Sequence, residues 1–141
     1  MPFDLHPNLK RDGIQIGQFP LCQVLLINDS NYPWFVLVPQ LVNLRDCIDM
    51  TVEEHQTFVA ESRAFSAGIM RAFGGDKLNV AALGNVTPQL HVHHIVRYTN
   101  APAWPAPIWG KLPMQSYADQ GILEVRKKIA TANIDQLTIE G

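Results

Sequence analysis

The pattern of apolar and polar positions divides the chain into short strands, one long helix and a late shorter one. Ile14-Gln15-Ile16 alternates with the period of two expected of a strand, after a turn at Asp12-Gly13. Phe19-Pro20 punctuates the chain, and Leu21 to Asn28 is a nearly continuous apolar run that predicts a stronger strand. Asp29-Ser30-Asn31-Tyr32-Pro33 is rich in turn formers, and Trp34 to Val38 predicts a third strand stopped by Pro39, which has no N–H for a ladder. Three strands with short connections favour an antiparallel meander over strand–helix–strand units.

The period then changes. Thr51-Val52-Glu53-Glu54 has the form of a capping box. After it Val52, Phe58, Val59, Phe65, Ile69 and Phe73 recur at helical spacing, which leaves Glu53, Glu54, Glu61 and Arg71 to face solvent. Gly74-Gly75 is the expected stop. His55, near the helix start, reads as a surface or packing residue. Lys77 to Leu83 returns to strand character, Gly84-Asn85-Val86-Thr87-Pro88 breaks it, and another strand follows through Arg97. Pro102, Pro105, Pro107 and Pro113, interleaved with Trp104 and Trp109, forbid regular structure over residues 100–113 and predict a packed irregular arm or a lid. A second helix is expected from near Ser116 to about Ala130, with Ile122, Val125 and Ile129 on its apolar stripe. The expectation is an α+β fold: an antiparallel sheet of about five strands, covered mainly on one face, with one long helix and a short C-terminal helix.

Length adds that 141 residues form one domain, against a usual size of about 150. Within it, 1–12 is an N-terminal segment, 102–113 the Pro/Trp arm and 132–141 a tail. Hydrophobic content of 47% and charged content of 17% suit an ordinary globular protein. A net charge of −2 without a long basic run argues against nucleic acid as the main partner, and Arg126-Lys127-Lys128 reads as a solvated helix face. No apolar signal region opens the chain, and its apolar runs are too short for a bilayer, so the expectation is a cytoplasmic protein with no membrane partner. Cys22 and Cys47 match no disulfide framework or metal-ligand spacing and are expected reduced and buried.

The candidate chemistry lies in the last predicted strand, Gln89-Leu90-His91-Val92-His93-His94-Ile95-Val96-Arg97. Alternation puts Gln89, His91 and His93 on one face and Leu90, Val92 and Val96 on the other, with His94. A solvated strand face accounts for that pattern. So would a metal site, but the first acidic residue after His94 is Asp119, and a third ligand is missing nearby. Phosphoryl chemistry also fits, since a neutral imidazole is a nucleophile near pH 7 and a second can serve phosphate oxygens or a leaving group. Gly84-Asn85-Val86-Thr87 adds neutral donors upstream, and no Walker-type or dinucleotide glycine motif is present.

These residues resemble the histidine triad (HIT) motif, in which three histidines alternate with apolar residues. The order of strands and helix from about residue 14 to 97 is similar to the HIT fold, and the arm Pro102 to Gly110 looks like that of a bacterial branch. The resemblance implies a nucleotide hydrolase or nucleotidyl transferase acting at the α-phosphate of a dinucleoside polyphosphate or nucleoside phosphoramidate. It implies that His91 is the nucleophile, forming a nucleotidyl-histidine intermediate, and that His93 contacts phosphate and assists the departing group. Asn85 falls where the family places an amide toward phosphate, and Asn79 resembles a second such asparagine. Asn28 falls near the ribose-binding position with Asp29 as its competitor, although both also fit a plain turn. A purine nucleotide ligand and a homodimer are implied, with no cofactor and no metal. The first triad position holds Gln89, which can donate to phosphate but carries no proton charge; a nucleotide-binding module with weak or no catalysis is therefore the alternative reading. A metal-binding protein is a further one. His94 points away from the triad face and is expected as a core or interface histidine.

Overall fold

A computed structural model describes residues 2–140, so Met1 and Gly141, the outermost residues of the expected N-terminal segment and tail, lie outside the described residues. The elements in chain order are α1 (Pro7–Asp12), β1 (Gly13–Gln18), β2 (Cys22–Ile27), β3 (Trp34–Pro39), α2 (Val52–Phe73), β4 (Lys77–Ala81), β5 (Val92–Arg97), α3 (Asp119–Thr131) and β6 (Thr138–Ile139). They form one six-stranded sheet in the order β4-β5-β3-β2-β1-β6, antiparallel throughout. The fold is the expected α+β one, with two additions at the termini. The expected turn at Asp12-Gly13 is the end of α1, and the expected tail contributes β6, which pairs Thr138 with Gln18 and Ile139 with Gly17.

Helix α2 forms where the spacing predicts. The Thr51 hydroxyl accepts from the Glu54 amide at 3.1 Å, the Glu54 carboxylate accepts from the Thr51 amide at 2.8 Å, and Gly74 ends the helix in the left-handed region at φ 59°. Its buried face, Phe58, Phe65 and Ile69, packs with Val125 and Ile129 of α3 against Val24, Leu26, Phe35, Leu37, Val92 and Val96 of the sheet. Two positions differ from the expectation. Val52 and Val59 are 69% and 50% exposed, whereas Glu61 is buried. The Glu61 carboxylate accepts from the backbone amides of Leu21 and Cys22, both at 2.9 Å, which satisfies a buried charge at the bend between β1 and β2. Cys22 is fully buried, Cys47 is half-buried, and both are free thiols.

The second sheet face is also covered, more fully than the expected cover mainly on one face. Phe3, Leu5 and Leu9 pack on Leu25, Ile27, Val36 and Val38. Ala103 and Ile108 of the arm pack with Tyr32 on Ile95. The arm is therefore a packed structure, and Trp104 lies over the guanidinium of buried Arg97, 5.7 Å from ring centre to carbon.

Candidate functional site

The sheet presents the histidines between these two covers. The β5 ladder begins at Val92, later than expected, and residues 89–91 lead into it as non-ladder backbone tied by the Leu90 amide, which donates to the Leu44 carbonyl at 3.0 Å. His93 pairs with Val36 on β3 and Ala81 on β4. His91 and His93 lie on one side with ring centres 5.0 Å apart, and both are nearly buried, at 8% and 7% exposure.

The partners of each ring define its protonation. His91 Nδ1 lies 2.8 Å from the carbonyl oxygen of Gln89. A carbonyl only accepts, so Nδ1 carries a proton, and in the neutral ring the lone pair is on Nε2. His93 is the reverse. The indole Nε1–H of Trp34 donates to His93 Nδ1 at 2.9 Å, so the neutral His93 proton resides on Nε2. Burial chiefly, and then the charges of His91 and His94, lower the His93 pKa from 6.5 to about 4. The edge of the Trp109 ring closes the other side of His93, 5.3 Å between centres.

His94 belongs to the opposite face, as parity predicts. It is fully buried against Phe65, donates from Nδ1 to the Val92 carbonyl at 2.9 Å and accepts the Ser62 hydroxyl on Nε2 at 2.7 Å. Burial lowers its pKa to about 4, opposed by that carbonyl. It is a core histidine holding α2 to β5.

Gln89 is near the pair, but its side chain is engaged elsewhere. Its Oε1 accepts from the His6 amide at 2.8 Å and its Nε2 donates to the Asp4 carbonyl at 2.9 Å. Together with Asn8 Nδ2, which donates to the Thr87 hydroxyl at 3.0 Å, it fastens the N-terminal segment to the loop that precedes β5. Asn85 is exposed in that loop. Asn79, paired with Ile95, shares the histidine face, and its Oδ1 accepts from Arg97 at 2.9 Å. Asn28 and Asp29 lie at the end of β2. Their side-chain oxygens accept from the amides of Tyr117 (2.9 Å) and Gln115 (3.3 Å), and Asp29 Oδ1 also accepts from the Asn31 amide (3.1 Å). The structure thus brings together His91, His93 and the backbone of Gln89, while Asn28 and Asp29 bind the segment leading into α3.

Sequence reasoning missed Trp34, the N-terminal residues that meet Gln89, and Trp109. A signal for Trp34 existed: it is two residues before Val36 on β3 and so shares the face of the histidines once the β3–β5 register is known. Among the described residues no group of three or more His, Cys, Asp or Glu side chains is placed to hold a metal ion, and no helix is long and apolar enough to cross a membrane.

The antiparallel sheet places His91 and His93 on one face, within residues that match a known domain family. The HIT domain model matches residues 9–100, and the chain belongs to the HIT family. Its fold and sequence are similar to a histidine triad protein of Marinobacter aquaeolei VT8, at 46% identity over 98% of this chain and 100% of that one, with a TM-score of 0.92. Histidine triad proteins of Sinorhizobium meliloti 1021 and Bradyrhizobium japonicum are also similar. The first shows 36% identity over 92% of this chain and 96% of its own, TM-score 0.90. The second shows 37% identity over 94% and 98%, TM-score 0.91. No curated protein matches the chain. Family membership suggests nucleotide binding with hydrolase or transferase activity.

Proposed function

We propose that the protein is a nucleotide hydrolase or nucleotidyl transferase in which His91 attacks the α-phosphorus of a purine nucleotide substrate, a dinucleoside polyphosphate or a nucleoside phosphoramidate. The observation that carries this reading is the Nδ1–H···O=C bond from His91 to Gln89, which leaves Nε2 turned away from that carbonyl, with the His93 ring centre 5.0 Å from that of His91. As Nε2 bonds to phosphorus the ring becomes cationic, and the same carbonyl then accepts a charge-assisted bond. His93 donates from Nε2 to a phosphate oxygen. Asn85 and Asn79 supply further neutral donors toward phosphate, Gln89 lends its backbone carbonyl, and Asn28 with Asp29 sits where ribose hydroxyls would bind. Water then displaces His91 and frees the nucleoside monophosphate. The test compares turnover of both substrate classes by the native protein and His91→Ala. A loss of at least about a hundredfold is expected, and equal turnover contradicts the reading.

The second reading, a nucleotide-binding module with little catalysis, draws on Gln89, whose amide is held by the N-terminal segment, and on the low exposure of both histidines. Calorimetry with AMP separates them: tight binding without turnover favours the module.

A homodimer is part of the proposal. The β4 edge of the sheet is unpaired; Val80 on that edge, Leu83 just after it, and Val52 and Val59 on α2 are exposed apolar residues. Light scattering on the eluting species is expected to give twice 15.8 kDa, and a 15.8 kDa species contradicts it.

A further inference from the structure

Trp34 opens β3, pairs with Ile95 and packs between the two apolar clusters that cover the histidine face. An indole nitrogen carries one hydrogen and no acceptor, so a ring nitrogen facing it at 2.9 Å must be unprotonated. An imidazolium would set N–H against N–H. With Trp109 against its other side, His93 has little freedom to turn away.

The surroundings add no acid. Next to His93 along the chain are the imidazoles of His91 and His94; its partners across the sheet are Val36 and Ala81, and the arm contributes Trp109. Among the described residues no carboxylate bonds to either His91 or His93. Gln89, in the first triad position, is a neutral amide held at both ends.

We propose that Trp34 is a positioning residue that holds His93 as a neutral Nε2–H donor, so that this site releases leaving groups that depart as oxyanions, a nucleoside phosphate or pyrophosphate, and not amines. The assignment rests on the reading of His91 as nucleophile. In that step the His91 Nε2 lone pair forms the N–P bond, the P–O bond to the leaving phosphate breaks, and its electron pair leaves on oxygen. A phosphate oxyanion needs no proton at neutral pH. His93 keeps its proton and bonds to a non-bridging oxygen. Water then attacks phosphorus, the N–P bond returns its pair to Nε2, and one water proton passes to solvent. A phosphoramidate differs, because its nitrogen must gain a proton before the P–N bond breaks, and a neutral imidazole is a far weaker acid than an imidazolium.

The experiment is 15N NMR of the full chain labelled at histidine, with His93 resonances assigned by His93→Gln, for the native protein and Trp34→Phe. The native His93 is expected to carry its proton on Nε2 from pH 8 to 5. In Trp34→Phe its protonation midpoint rises by about one unit, the worth of one hydrogen bond. Turnover follows: the native protein prefers a dinucleoside polyphosphate over a phosphoramidate, and Trp34→Phe narrows that ratio at pH 6 by about fivefold or more, within the tenfold that one pKa unit represents. A native His93 proton on Nδ1, or a Trp34→Phe spectrum and midpoint unchanged from native, overturns the role of Trp34. Should the variant not fold, the native spectrum alone decides the tautomer. Phosphoramidate cleaved as fast as anhydride overturns the leaving-group assignment. The expected spectra with neither substrate consumed would defeat the proposed function while leaving the hold of Trp34 on His93 intact.

Discussion

Residues 91 and 93 differ chemically although both are histidine and both are nearly buried. One ring gives its Nδ1 proton to a carbonyl, and the other receives a proton on Nδ1 from an indole. A backbone carbonyl and one tryptophan therefore set the neutral tautomers of the two rings apart. His93 and His94 both have pKa values lowered to about 4, with burial the largest cause. A base whose folded pKa is depressed takes up fewer protons folded than unfolded. Its contribution to stability is complete above the unfolded pKa of about 6.5 and is lost as pH falls toward 4. The unfolding free energy, measured by urea titration, is expected to be flat just above pH 7. Between 6.5 and 4 it falls by about 1.4 kcal/mol per pH unit for each histidine. A curve flat to pH 4.5 contradicts this protonation scheme. At the same scale, parity alone set His94 apart from the triad face in the sequence. The tautomers were not legible, because they depend on Trp34 and a carbonyl whose positions follow from register.

Among the elements, α2 was the most legible because three local signals agree: a capping box, an apolar stripe and a glycine stop. The burial of Glu61 was not, since its partners are amides of Leu21 and Cys22, forty and thirty-nine positions away. Helical spacing cannot see such partners. The same holds for α1, too short to show a period, and for β6, two residues recruited by the β1 edge. The N-terminal segment has a role that composition could not reveal. Gln89 holds Asp4 and His6 while Phe3, Leu5 and Leu9 cover Val38 and Val36, the β3 partner of His93. Gln89→Leu removes two neutral hydrogen bonds worth about 1 kcal/mol each. Hydrogen exchange at the His6 amide is then expected to quicken about tenfold or more, since 1.4 kcal/mol corresponds to tenfold. Unchanged exchange would show that apolar packing alone retains the segment.

At the scale of the whole molecule, the sheet is covered on both faces, and the two covers serve different ends. The helical layer of α2 and α3 supplies the main core. The N-terminal segment and the Pro/Trp arm meet on the other face at either side of His91 and His93. The sequence motif pointed, through its resemblance, to the family. It could not show that Asn28, Asp29 and Gln89 also fasten chain segments, because each does so through residues at least 83 positions away.

The proposed reaction requires that His91 form a covalent bond to a nucleotide. The most direct measurement is rapid mixing with a dinucleoside polyphosphate, quenching in base, digestion and mass spectrometry of the peptide containing residues 89–97. A nucleoside monophosphate adduct on His91, absent from His91→Ala, is the predicted result. Turnover that proceeds without an adduct, or an adduct that persists in His91→Ala, would contradict the account.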